Sequence, residues 1–89
     1  MKKVVIYTGS LCVHCDRAKA LLNRKNINFI EYNVAEDSTK RDEMLKKSNG
    51  AIKIPQIFIG DYHVGGNLEL ETLERKGKLD ELLEIKSSA

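Results

Sequence analysis

Cys12 and Cys15 are the only cysteines in the chain, and just Val13 and His14 separate them. Two thiols at that spacing can close into a disulfide and reopen, so the chemistry within reach is thiol–disulfide exchange. In that reaction a thiolate attacks a disulfide sulfur and a second thiol resolves the mixed disulfide. Metal binding is the competing use of such a pair. Zinc normally takes at least three protein ligands, and the chain adds only His14 and His63 to the two cysteines. A third use, as two small buried apolar side chains, sits poorly with a C-x-x-C beside a strand–helix–strand pattern.

How a thiol behaves depends on the elements that hold it. Upstream, Val4-Val5-Ile6-Tyr7 is an apolar, β-branched run that predicts a buried strand over Lys3–Tyr7. Downstream, Ala18, Leu21 and Leu22 recur at helical spacing and predict a helix from Val13 to about Lys25. Cys12 then stands at the helix N-terminus and Cys15 one turn further in. Free N–H groups and the positive end of the helix dipole favour the Cys12 anion. Cysteines so placed titrate at ~3.5–7.5 rather than ~8.5. Cys12 is therefore expected to attack and the more protected Cys15 to resolve. His14, between them, would stabilise the thiolate as a cation or carry a proton as a neutral ring. The alternative is an exposed first-turn residue without a role.

The rest of the chain supplies a frame. Asn26-Ile27-Asn28 reads as a turn and Phe29–Val34 as a second strand, parallel to the first through a right-handed crossover. Glu36-Asp37-Ser38-Thr39 is a helix start, with Thr39 and Asp42 in capping-box register. Met44 and Leu45 face inward on that second helix, and Asn49-Gly50 should end it. After Pro55, the only proline, Gln56–Ile59 and Tyr62–Gly66 flank Gly60-Asp61 as a hairpin. His63 in its second strand is expected to be an ordinary surface residue. Pro55 is either a strand-entry proline or cis, and the residues alone leave both open. Asn67 is placed as the N-cap of a helix carrying Leu70 and Leu73 inward and ending at Gly77. Leu79, Leu82 and Leu83 mark a last helical segment before a Ser87-Ser88-Ala89 tail. The order β-α-β-α-β-β-α predicts one α/β domain over 1–89, a four-stranded mixed sheet with helices on both faces.

Bulk properties exclude several classes. The apolar share of 42% and charged share of 31% are ordinary for a folded domain. A net charge of +2, with lysines alternating with acids along the helices, gives no footprint for nucleic acid. The apolar run after Met1-Lys2-Lys3 is too short for a signal peptide, and nothing approaches the ~20 apolar residues of a membrane span. The expected setting is cytoplasmic, where paired thiols more often react than staple a fold.

Over nearly its whole length the sequence resembles the glutaredoxins, dithiol oxidoreductases of the thioredoxin fold. The residues that carry the likeness are Tyr7-Thr8, the C-x-x-C, Arg17–Leu22, Lys40-Arg41 with Glu43-Met44, Ile54–Ile59, and Gly65-Gly66 with Leu70. The resemblance implies a sheet in the order 2-1-3-4 and a cis Pro55 facing Cys12. It also implies glutathione as reductant. The backbone of Ile54 would pair with its cysteinyl part, Gly66 and Asn67 would receive the γ-glutamyl carboxylate, and Arg41 would lie toward the glycyl carboxylate. Four positions depart from the pattern. Val13-His14 replaces Pro-Tyr, Gly9 replaces a lysine, Lys53-Ile54-Pro55 replaces Thr-Val-Pro, and Leu68 replaces an aspartate. His14 and Lys53 are expected to supply the cations that the loss at position 9 removes.

The activity so implied is glutathione-dependent reduction of protein disulfides and protein–glutathione mixed disulfides by a monomer. Two other readings accompany it. One is a redoxin recharged by thioredoxin reductase, which differs at the Gly65-Gly66-Asn67 turn. The other is a dimer holding an iron–sulfur cluster through the first cysteine and glutathione, with which Val13 is compatible.

Overall fold

The structure, a computed structural model, describes residues 2–84; the serine-rich tail lies outside them. Its elements are β1 (Val4–Thr8), α1 (Val13–Arg24), β2 (Ile30–Asn33), α2 (Ser38–Lys47), β3 (Gln56–Ile59), β4 (Tyr62–Gly65), α3 (Asn67–Arg75) and α4 (Leu79–Leu83). The strands form one sheet in the order β2-β1-β3-β4, with β1 parallel to β2 and antiparallel to β3. This is the thioredoxin-like arrangement, a mixed sheet flanked by helices.

β1 is buried along its whole length because both its faces are covered. Side chains alternate across a strand, and the two cores follow from that period. Val4 and Ile6, with Ile57 and Ile59 of β3, meet Ala18, Leu21, Leu22, Leu70, Leu79 and Leu83 from α1, α3 and α4. Val5, Tyr7 and Phe58 meet Met44 of α2 and Val34 on the opposite face. Lys25 at the end of α1 ties the first face together, reaching Glu74 at 3.0 Å and Asp80 at 2.9 Å.

Helix ends depart from expectation in two places. α2 starts at Ser38, with Asp37 as N-cap accepting the Lys40 N–H at 3.1 Å, so Thr39 lies inside the helix rather than capping it. Asp37, Ser38 and Thr39 are all competent caps, and the acid one step earlier wins. Asn67 is likewise the first residue of α3, not its N-cap. Gly66 takes that position, and Glu69 Oε1 accepts its N–H at 2.6 Å. The end of α2 is as expected: Asn49 and Gly50 have φ of 57° and 93°, and the Gly50 N–H reaches Leu45 O at 2.7 Å.

Candidate active site

Cys12 is the N-cap of α1, in extended conformation, and its Sγ accepts the Cys15 N–H at 3.1 Å. A sulfur there occupies the place where a capping oxygen usually satisfies an orphan donor. The same N–H and the helix dipole stabilise negative charge on it once the disulfide opens. Cys12 and Cys15 are joined in a disulfide with Cα atoms 5.2 Å apart. Cys15 is only 1% exposed, whereas Cys12 is half-buried, so an incoming sulfur meets Cys12 first. Leu11, immediately before it, is fully exposed at a left-handed φ of 52°, and Val13 is also exposed. Two exposed apolar residues thus flank the accessible cysteine along the chain.

Two depressions flank this helix start. One, of about 260 Å³, is lined by His14, Lys53, Ile54, Pro55, Gln56, Gly66, Asn67, Leu68 and Glu69. It gathers five of the six residues expected to contact a ligand, together with His14. The other, of about 670 Å³, contains Arg41, Ile54, Gly9 and Ser10, so Arg41 stands apart from the rest and Ile54 divides the two. The Ile54–Pro55 peptide is cis. His14 and Lys53 are both exposed, and both are free to turn toward an anion.

Asn67 is 5% exposed, and its Nδ2 donates to Glu71 Oε2 at 2.9 Å. Glu71 Oε1 lies 3.7 Å from Arg17 Nη2, which ties the start of α3 to α1. Gly9, where the family pattern has a lysine, lies against the Ile54 side chain. A Cβ built on Gly9 would collide with Ile54 Cδ1, so a side chain at 9 requires the methyl end of Ile54 to move.

Beneath the site, Thr8 Oγ1 donates to Glu31 Oε2 at 2.7 Å and Lys19 Nζ reaches the same oxygen at 3.0 Å. The Thr8 bond, reinforced by Lys19, holds the Glu31 carboxyl below its usual range. Tyr7 Oη donates to Glu43 at 2.5 Å. Burial, with that bond, pushes the phenol up, so Tyr7 stays protonated and holds Glu43 below its ordinary range in return.

Sequence reasoning gave Gln56 no role of its own and took His63 as an ordinary surface residue. Gln56 is buried, and its Nε2 donates to Lys53 O at 2.7 Å. His63, though exposed, packs its ring on Phe58 and reaches Gln56 Oε1 at 2.6 Å. The one local signal was that Gln56 and His63 are the polar residues in two otherwise apolar or aromatic hairpin strands.

The glutaredoxin family model matches residues 4–64. A probable glutaredoxin of Synechocystis is 47% identical over 81 residues, covering 91% of this chain and 92% of that one. The solution structure of a glutaredoxin from Brucella melitensis is 45% identical and superposes with a TM-score of 0.80, covering 100% of this chain and 96% of that one. A buckwheat glutaredoxin–glutathione complex, 22% identical, shares the fold with a TM-score of 0.82 over 93% of this chain and 77% of its own.

Proposed function

Because the chain belongs to the glutaredoxin family, we propose that it is a glutathione-dependent thiol–disulfide oxidoreductase with Cys12 as nucleophile and Cys15 as resolving thiol. The observation that carries the assignment of roles is the Cys12 sulfur at the α1 N-cap, accepting the Cys15 N–H while Cys15 itself is buried.

On a protein–glutathione mixed disulfide, the Cys12 thiolate attacks the glutathione sulfur. The protein thiolate leaves and takes up a proton, and Cys12 carries glutathione. A second glutathione thiolate attacks that sulfur, giving oxidised glutathione and restoring Cys12. On a protein disulfide, Cys12 first forms a mixed disulfide with the substrate. Cys15 then attacks Cys12, which releases the reduced substrate and closes the Cys12–Cys15 bond. Two glutathiones reopen it.

The tripeptide would lie along Ile54, in the manner of strand addition, with one carboxylate at Gly66–Asn67 and Lys53 beside it. Arg41 would take the other carboxylate across the Ile54 divide. That Gly66, Asn67, Lys53 and Ile54 open on one depression supports glutathione over thioredoxin reductase as the source of electrons. We further take the protein to act as a cytoplasmic monomer, in a compartment that keeps a redox pair cycling.

A Cys15→Ser variant tests the roles. It should accumulate mixed disulfides with glutathione on Cys12, read by mass, and still reduce glutathionylated proteins. No adduct on Cys12 overturns the assignment. NADPH consumption with thioredoxin reductase alone, and none with glutathione and its reductase, overturns the electron source.

A further inference from the structure

We infer that His63 is a positioning residue for the reaction, acting through the Gln56 amide to aim the Ile54 N–H at the ligand. The inference rests on the proposed glutathione reading, in which that N–H is the donor to the bound tripeptide.

The chain of contacts fixes its own protonation. Gln56 Nε2 must face Lys53 O, 2.7 Å away, because the alternative orientation would set two oxygens against each other. Gln56 Oε1 therefore faces His63 Nε2 at 2.6 Å, and an oxygen there requires that Nε2 carry a proton and donate. The ring is held in place by stacking on Phe58, with centroids 4.7 Å apart and planes inclined by 17°. His63 thus presents a fixed donor at an exposed position of β4, and it orients an amide buried to 6% exposure.

What the amide grips is a peptide carbonyl beside the site. The Lys53–Ile54 peptide is trans, the cis bond being the next one along. In a planar trans peptide the C=O and the N–H point in opposite directions. Drawing Lys53 O toward the buried Gln56 side chain turns the Ile54 N–H away from it. Among the described residues that N–H has no hydrogen-bond partner. Ile54 lines both depressions, and Gln56 lines the one that also holds Lys53 and Asn67. The donor that a strand-like ligand needs is kept free and aimed by His63, Gln56 and Lys53 in turn.

Two substitutions separate the hydrogen bond from the packing. His63→Phe keeps a ring on Phe58 and deletes the donor. His63→Gln deletes the ring and keeps a terminal N–H of similar reach. His63→Phe should raise KM for a glutathionylated peptide by about 3–10-fold, the worth of one neutral hydrogen bond, with a smaller change in kcat. His63→Gln should restore KM to within about twofold of wild type, where a tenfold change is the size of the bond itself. Single-turnover reduction of an aromatic disulfide that carries no peptide groups should separate the variants by much less. Equal loss on both disulfides, an unchanged KM in His63→Phe, or failure of His63→Gln to rescue would each overturn the inference.

A readout independent of glutathione keeps the two readings distinguishable. In the ligand-free oxidised protein, His63→Phe should shift the nuclear magnetic resonance signals of the Gln56 side-chain amide and the Ile54 N–H together. If those signals move while the wild type shows no preference for the glutathionylated peptide, the glutathione reading fails and the brace stands. If they do not move, the brace itself is refuted.

Discussion

Replacing Gly9 by alanine probes how Ile54 shapes the wall of the site. The Gly9 backbone is not left-handed, since its φ is absent from the positive values along the chain. Alanine is therefore compatible there, and loss of unfolded-state freedom alone would stabilise the protein by about 0.4–1 kcal/mol. Against this, the new Cβ meets Ile54 Cδ1 far inside contact distance. Overpacking costs about 1–3 kcal/mol, and because the obstacle is the methyl end of one side chain we take the lower limit, about 1 kcal/mol. The two terms nearly cancel, so Gly9→Ala should leave stability almost unchanged. In an Ile54→Val background the obstructing methyl is gone and the same change should stabilise fully. The double-mutant cycle, measured by urea or thermal unfolding of the oxidised protein, should give a coupling of about 1 kcal/mol, or roughly 4–8 °C in Tm for a domain of this size. Additivity to within about 0.3–0.5 kcal/mol would refute the steric reasoning. The functional corollary is that Gly9→Lys should lower KM for a glutathionylated peptide more in the Ile54→Val background than alone.

Three further outcomes are expected. Alkylation of the reduced protein with iodoacetamide should follow a thiolate on Cys12 with a midpoint between about 3.5 and 7.5; a midpoint near 8.5 would deny the N-cap any role. His14→Ala should raise that midpoint while Lys53→Ala weakens glutathione binding, measured by calorimetry on the Cys12→Ser protein, and unchanged values in both would remove the two cations from the site. Tyr7→Phe should destabilise the protein by about 0.5–1.5 kcal/mol at neutral pH, because the Glu43 carboxylate it leaves is partly solvated and keeps Lys40 as a partner. The Tyr7 bond lowers the Glu43 carboxyl in the folded state, so this contribution is present above the unfolded carboxylate range and fades as pH falls through the folded value. The gap between wild type and Tyr7→Phe should therefore narrow in acid, and a gap that widens there would reverse the assignment.

Much of this was legible in the sequence, and the reasons are particular. The continuous apolar runs Val4–Tyr7 and Ile57–Ile59 marked strands covered on both faces, and Asn49-Gly50 and Gly60 marked turns whose left-handed φ values the structure contains. Position in the motif placed Cys12 at a helix start because strand and helix patterns meet there. Caps were harder, since Asp37, Ser38 and Thr39 compete within one turn and local rules rank them nearly equally. The expected N-cap Asn67 entered the helix because Glu69 reaches back to the Gly66 N–H and Glu71 takes the Asn67 amide. Contacts between elements left little local trace. Gly9 against Ile54, and His63 on Phe58 beside Gln56, exist only once β1, β3 and β4 are side by side.

The sulfur's setting is closed within three residues, by the Cys15 N–H on Cys12, whereas the Ile54 wall reaches the site only through the pairing of Val4–Tyr7 with Gln56–Ile59. Reactivity is therefore a local property of this chain and selectivity a long-range one. A partial opening that frees β3 and β4 while β1, α1 and β2 hold together removes the groove and leaves the thiolate. In that state the protein would keep its exchange chemistry without the wall that selects among disulfides, and the strength of the β1–β3 seam sets how rarely it is visited.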